Sequence, residues 1–149
     1  MTFYETVNFK ETFKPNPRAM DVKEFSALRK KLKKTQKQMA QLLGTSIKAI
    51  HSYEQGWRSI PVHVERHLYF LLRRKVGGEN GIEPCWDARS CPHEQRDRCP
   101  AWEFSSGDLC WFVNGTICDG MVRGSWPEKM KFCRTCAVFK AQVEPIDHE

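Results

Sequence analysis

The chain has 149 residues, of which 40% are hydrophobic and 28% charged, a globular composition that allows one or two domains and excludes disorder throughout. No apolar run approaches the ~18 residues that a membrane helix needs. Residues 1–14 lack the apolar core of a secretion signal. We therefore expect a cytoplasmic protein with no membrane partner.

Charge and cysteine are distributed unevenly between the two halves of the chain. Residues 1–78 carry 16 Lys and Arg against 6 Asp and Glu, a net charge of +10, whereas residues 79–149 carry 8 against 12, a net charge of −4. All seven cysteines lie in the second half. A basic half predicts a polyanionic partner. Cysteines in a cytoplasmic protein indicate metal or redox chemistry more than a disulfide framework.

The first half is predicted to contain an N-terminal arm over residues 1–20 and a four-helix domain over residues 21–75. Thr35 and Ser46 are favourable N-cap residues for the second and third helices. Gly44 lies between these helices, where a sharp turn needs the left-handed conformation. Two helices joined by such a turn are typical of a helix-turn-helix that reads DNA.

The residues around this turn resemble the lambda-repressor/Cro-like helix-turn-helix family, also called the XRE family, over roughly residues 22–73. The matching motifs are Thr35-Gln36, Met39-Ala40, Leu43-Gly44-Thr45-Ser46, Ala49-Ile50, Tyr53-Glu54-Gln55-Gly56 and Pro61. The resemblance implies a regulator that binds double-stranded DNA as a homodimer. Family members usually have five helices and the sequence predicts four, so another part of the chain would have to supply the usual dimer contact.

The resemblance also implies a set of DNA-contacting residues. In chain order they are Gln36, Ile47, Lys48, His51, Ser52, Gln55 and Arg58. Gln36 matches a position that bridges phosphate and base. Ile47, Lys48 and Ser52 match base-facing positions, and His51 lies beside them. Gln55 and Arg58 match positions that contact the DNA backbone. Ile47 suits a thymine methyl group, and Lys48 suits guanine O6 or N7. For His51, an exposed residue without a DNA contact is an equal alternative.

Three neighbouring residues are predicted to face inward instead. The spacing of Ile50 and Tyr53 places them in the core. Glu54 is expected to cap or pair within the protein, because phosphate would repel a carboxylate that faced it.

The second half is predicted to form a small, irregular cysteine-rich domain over residues 85–140. Residues 76–84 are predicted to be a linker, and residues 141–149 a C-terminal tail. Asn114-Gly115 between apolar stretches predicts a β-hairpin turn. A domain this small, with few aliphatic residues, needs a bound inorganic centre or disulfides for stability.

The predicted metal ligands are all seven cysteines, namely Cys85, Cys91, Cys99, Cys110, Cys118, Cys133 and Cys136. Only the last pair has CxxC spacing, whereas a zinc ribbon has two such pairs. Irregular spacing favours an iron–sulfur cluster, with Zn²⁺ and metal-free disulfides as open alternatives. His93 is a candidate eighth ligand, although a lone histidine near cysteines is more often a surface residue.

This stretch resembles the two-CW cysteine module, which accompanies bacterial chemoreceptors, sensor kinases and DNA-binding regulators. The matching motifs are Cys85-Trp86, Cys91, Cys99-Pro100-Ala101, Cys110-Trp111, Gly115-Thr116-Ile117-Cys118, Gly120, Cys133, Cys136 and Phe139. The resemblance implies a sensory setting and no particular ligand. Ala88-Arg89 departs from the family, which more often has an aromatic residue there.

The predicted hairpin has a consequence for two of the cysteines. A two-residue turn at Asn114-Gly115 would place Cys110 and Cys118 on opposite faces of the hairpin. A three-residue loop with Gly115 in the left-handed conformation would place both on one face. We expect the three-residue loop, so that both cysteines serve one site.

These patterns predict a transcription regulator whose cysteine-rich domain binds a metal or an iron–sulfur cluster and senses redox state or metal. The alternative is a zinc-stabilised interaction adaptor that has a DNA-binding domain and no sensing role. An enzyme is not expected, because the sequence shows no Ser-His-Asp set, nucleotide-binding loop or paired catalytic carboxylates. No small-molecule substrate is indicated.

Overall fold

The computed structural model describes residues 20–76 and 83–143, and the first of these ranges is a four-helix domain. Its helices are α1 (Val22–Lys31), α2 (Gln36–Leu43), α3 (Ile47–Gln55) and α4 (Val62–Val76). The predicted arm up to residue 19, residues 77–82 of the predicted linker and residues 144–149 of the predicted tail lie outside the described residues. No helix in the described ranges is long and apolar enough to cross a membrane.

The helix ends follow local capping chemistry. The Thr35 side chain accepts a hydrogen bond from the Gln38 amide at 3.1 Å, and the Gln38 side chain accepts one from the Thr35 amide at 3.0 Å. Ser46 caps α3 by accepting from the Ala49 amide at 3.0 Å. Gly44 ends α2 with a φ of 65°, as a left-handed C-terminal residue should. These caps define the predicted turn between α2 and α3.

The core of this domain confirms two of the inward-facing predictions. Ile50 is 0% exposed and Tyr53 is 5% exposed. The Tyr53 ring meets Phe25 of α1 edge to face, with the ring centroids 5.8 Å apart. Ala40 and Ala49 are buried where α2 and α3 meet, and their small side chains allow the two helices to approach closely.

The second half consists of short helices and one hairpin. Its elements are α5 (Cys85–Ala88), α6 (His93–Arg96), α7 (Pro100–Glu103), a 3₁₀ turn (Cys110–Phe112), β1 (Thr116–Cys118), β2 (Met121–Arg123), α8 (Trp126–Cys133) and α9 (Ala137–Val143). The last helix continues three residues past the predicted domain boundary at residue 140, because Gln142 and Val143 are buried.

The hairpin turn lies at Asp119-Gly120, and its prediction at Asn114-Gly115 was wrong. Strands β1 and β2 are antiparallel with Cys118 opposite Met121, which leaves a two-residue turn between them. Asp119 and Gly120 have φ values of 53° and 75°, as a type I′ turn requires.

The expected three-residue loop is therefore also absent, and the reason lies before Asn114. Trp111 is fully buried, and its indole N–H donates to Gln142 Oε1 at 2.7 Å. This anchor holds residues 110–112 in a 3₁₀ turn, so that these residues do not form the strand that the predicted hairpin needs before Asn114. Gly115 is left-handed, as expected, but its amide donates to the Arg123 carbonyl at 2.8 Å and extends the actual hairpin.

The two halves pack against each other through α4. Tyr69 meets the Trp111 ring at a centroid distance of 6.0 Å and the Phe139 ring at 5.3 Å, and all three residues are buried. Arg66 donates to the Phe112 carbonyl at 2.6 Å and lies over its ring. One continuous core therefore joins the helical domain to the cysteine-rich half.

We expect Phe139→Ala to destabilise both halves together by about 3–5 kcal/mol, the usual cost of deleting a buried phenylalanine. Urea unfolding would be followed by far-ultraviolet circular dichroism and by tryptophan fluorescence. The two transitions should coincide before and after the change, since the core is shared. Two separated transitions in the unaltered protein would contradict a common core.

Candidate DNA interface and cysteine cavity

The outward face of α3 and the turn after it carry most of the predicted DNA contacts. Exposed residues among them are Ile47, Lys48, His51, Gln55 and Arg58. Ile47 is 47% exposed and adds an apolar group to this face. The buried residues of α3 fix its orientation, so this face is held outward on a rigid element.

Ser52 does not share this exposed face, and its predicted role is corrected. It is 7% exposed, and its hydroxyl donates to the Lys48 carbonyl at 2.9 Å. The Ser52 carbonyl accepts from the amides of Trp57 and Arg58 at 3.0 and 3.3 Å. Ser52 therefore shapes the end of α3 and lies outside the exposed face of that helix.

Trp57 is an exposed residue that the sequence analysis did not single out. It is 70% exposed, and its ring meets His51 edge to face with the centroids 5.3 Å apart. A tryptophan directly after Gly56, at the end of a DNA-reading helix, was the available sequence signal. It extends the exposed face of α3 with a large aromatic surface.

Glu54 pairs within the protein, as predicted, and ties the first three helices together. Arg29 of α1 contacts both of its carboxylate oxygens, one of them at 3.1 Å. Gln36 of α2 donates to the same carboxylate at 2.9 Å, so this half-buried predicted DNA contact also has a partner inside the protein. Burial acts to raise the pKa of Glu54, but the hydrogen bonds from Arg29 and Gln36 hold it below its ordinary value.

Residues 26–62 match a helix-turn-helix family model, HTH_3. This part of the chain is therefore similar to helix-turn-helix domains. The match runs from within α1 to the first residue of α4 and includes the whole exposed face of α3. No protein of curated function and no solved structure matches the chain.

All seven cysteines line one cavity in the second half. The cavity has a volume of about 260 Å³, and its wall includes Cys85, Cys91, Cys99, Cys110, Cys118, Cys133 and Cys136. All are free thiols. Cys110 and Cys118 thus face the same space, although they reach it from the 3₁₀ turn and from β1 and not through the expected loop.

The thiols surround the cavity and do not converge on one point. Within residues 20–76 and 83–143, no three His, Cys, Asp or Glu side chains are placed to hold a single metal ion. A structural zinc ion needs four ligands at about 2.3 Å from one centre.

His93 does not face this cavity. It is exposed, and its Nδ1 lies against the Arg96 guanidinium. The residues that line the cavity include Arg96 and omit His93. Its candidate role as an eighth ligand is corrected to a surface position at the start of α6.

Hydrogen bonds and burial give the thiols different proton affinities. A hydrogen bond from Cys110 lowers the pKa of Cys85, and the same contact raises that of Cys110. Burial raises the pKa of Cys133 to about 11. Two further sulfurs accept hydrogen bonds, Cys136 from Arg89 at 3.2 Å and Cys99 from the Ile117 amide at 3.4 Å.

We expect Glu54→Gln to destabilise the protein by about 1–3 kcal/mol at neutral pH, because a largely buried guanidinium loses its charged partner. The pKa of Glu54 is lowered in the fold, so its contribution is present above the ordinary glutamate pKa and disappears as pH falls through the folded value. Urea titrations at neutral and acid pH should show the difference shrinking in acid. Gln55→Ala, an exposed change beside it, is the control. Equal stability at neutral pH would contradict the assignment.

Proposed function

We propose that the protein is a DNA-binding transcription regulator whose cysteine cavity holds an iron–sulfur cluster and adjusts DNA binding to redox state or metal supply. The observation that carries the proposal is the placement of seven thiols around one cavity, in a half that packs against the helical domain through Tyr69 of α4. The runner-up is a zinc-stabilised interaction adaptor without a sensing role.

The charge distribution supports the DNA-binding part of this proposal. The half that contains the helix-turn-helix has a net charge of +10. Duplex DNA attracts such a surface through counterion release, which makes binding depend steeply on salt. We propose a homodimer on a roughly palindromic site with half-sites one turn, ~34 Å, apart.

We expect Lys48→Ala and Arg58→Ala to weaken DNA binding in different ways. Loss of Lys48 should reduce the preference for the operator over random DNA by about 1–3 kcal/mol, because it removes a base contact. Loss of Arg58 should weaken binding to all sequences alike and reduce the salt slope by about one unit. An operator selected from a random-sequence pool, followed by fluorescence anisotropy at several salt concentrations, measures both effects.

Gln41→Ala is a matched control, since Gln41 is an exposed residue of α2 outside the predicted contacts. Equal losses for Lys48→Ala and Arg58→Ala on operator and random DNA would contradict the assigned roles. Light scattering of the complexes reports stoichiometry, and a 1:1 complex on a complete site would contradict the homodimer.

The composition of the cavity wall fits a thiolate-bound cluster. Thiolates are the usual cluster ligands, and hydrogen bonds to the sulfurs tune such a group. Trp86, Trp102 and Phe132 also line the cavity and limit the access of water. When bound, a cluster would supply a centre that gains and loses an electron reversibly. The residues that would hold it belong to the seven cysteines.

Arg134 supports the sensing part of the proposal, because it links two of the cavity cysteines to the helical domain. It lies between Cys133 and Cys136 and donates to the Glu24 carboxylate of α1 at 3.2 Å. It also donates to Glu65 of α4 at 3.0 Å, and Glu65 is only 2% exposed. Any shift of the Cys133–Cys136 segment would therefore disturb two helices of the DNA-binding domain.

Helix α1, which Arg134 contacts through Glu24, also contacts α3, the helix predicted to read DNA. Glu24 lies in the first turn of α1 and also accepts a hydrogen bond from the Tyr69 hydroxyl at 2.6 Å. Arg29 near the other end of α1 pairs with Glu54 of α3. Polar contacts thus lead from the cysteine cavity through one rigid helix to the helix that reads DNA.

The experiment begins with anaerobic purification and analysis of iron, sulfide and zinc. A brown protein with iron and sulfide supports the cluster, whereas a colourless protein with stoichiometric zinc supports the adaptor. Operator affinity is then measured with the cluster present and after its removal. Coupling between two sites typically changes affinity by about 5–150-fold, and we expect a change of that order.

Arg134→Gln should bring this affinity ratio close to one, since the variant loses the charged link to Glu24 and Glu65. The matched control is Arg98→Gln, an exposed arginine of the same half, which should keep the unaltered ratio. The cluster content of both variants is checked by iron analysis. An unchanged ratio in Arg134→Gln would contradict this route, and a ratio of one in the unaltered protein would contradict sensing.

A further inference from the structure

Lys129 is a buried lysine that the proposed function has not yet used. It lies in α8, is 1% exposed, and lines the cysteine cavity. Its ammonium group contacts the hydroxyl of Thr116 in β1, which is also 1% exposed. A lysine is almost never buried to this extent unless its charge is compensated.

The described residues provide no carboxylate for this charge. Five ion pairs are formed among them, and none includes Lys129. The Thr116 hydroxyl is neutral, so it satisfies one hydrogen bond and leaves the charge itself uncompensated. Two donor hydrogens of the ammonium group also remain for other acceptors.

The groups that can balance Lys129 are the thiols around the cavity. Cys85, Cys110, Cys118 and Cys133 are among them. Each of these sulfurs lies on the wall that Lys129 itself lines. When thiolates bind a metal centre, their negative charge is fixed in the cavity, and the buried ammonium gains its counter-charge.

We propose that Lys129 is the built-in counter-charge of the cavity, and that it selects a thiolate-bound group of net negative charge and raises the reduction potential of that group. This inference rests on the proposed function, because it concerns the same cavity. A cation close to a redox centre stabilises the form that has gained an electron. The effect is strong at a buried position, where solvent screens little of the charge.

The test compares Lys129→Met with the unaltered full-length protein, both purified anaerobically with their clusters. Reductive titration with dithionite, which supplies one electron to the cluster and is itself oxidised, is followed by absorbance and electron paramagnetic resonance. We expect the equilibrium constant for reduction to fall at least tenfold, a potential lower by 59 mV or more. Iron and sulfide content confirms that both samples are loaded.

Two further variants separate charge from packing. Lys131→Met removes an exposed lysine of the same helix and should leave the potential unchanged. Lys129→Arg keeps the charge and should keep the potential within the tenfold limit. If Lys129→Met does not fold, Lys129→Gln replaces it, because an amide retains a hydrogen bond to Thr116.

The outcomes distinguish this inference from the proposed function. A loaded Lys129→Met protein with an unchanged potential overturns the role of Lys129 and leaves the cluster proposal standing. An equal fall in Lys129→Arg and Lys129→Met also overturns it, since packing would then be the cause. If the unaltered protein contains no iron and sulfide, the cluster proposal fails first, and the inference fails with it.

Discussion

Helix α4 is the element on which both halves of this protein depend. One of its faces completes the core of the helix-turn-helix domain through Val64, Leu68 and Leu72, which are at most 1% exposed. Tyr69 of the same helix packs on Trp111 and Phe139 of the cysteine-rich half. Because one rigid helix serves two cores, the orientation of the DNA-binding domain relative to the cysteine cavity is set by side-chain packing.

This shared packing helps to stabilise the second half, which is small. A region of about 60 residues buries so small a share of its surface that its stability is marginal. Here its fully buried aromatic residue Trp111 rests against α4 and donates a hydrogen bond to Gln142. The helical domain thus supplies part of the core that the second half lacks.

Buried charges of α4 also have their partners in the other half of the protein. Glu65 belongs to α4, and burial raises its pKa while the charge of Arg134 from the other half opposes that rise. Arg73 of α4 is 7% exposed and donates to the Asp108 carbonyl at 3.2 Å. Each of these groups would be an uncompensated buried charge without its partner across the interface. Electrostatics therefore fixes the docking of the halves more specifically than apolar contact alone.

Local sequence was sufficient to predict the helix-turn-helix. The caps at Thr35 and Ser46, the left-handed Gly44 and the inward spacing of Ile50 and Tyr53 involve neighbours within a few residues, so the chain pattern alone determines them. The pairing of Glu54 was also predictable, because phosphate would repel a carboxylate on the surface that is predicted to meet DNA.

Tertiary structure decided the features that depend on distant partners. The hairpin turn lies at Asp119-Gly120, and not at the predicted Asn114-Gly115, because Trp111 is anchored to Gln142 of α9, 31 residues further along the chain. Arg134 meets Glu24 across 110 residues, a separation that no local spacing encodes. The convergence of seven irregularly spaced cysteines on one cavity has the same origin. Sequence determined that these thiols and charges exist, whereas long-range packing determined which of them face one another.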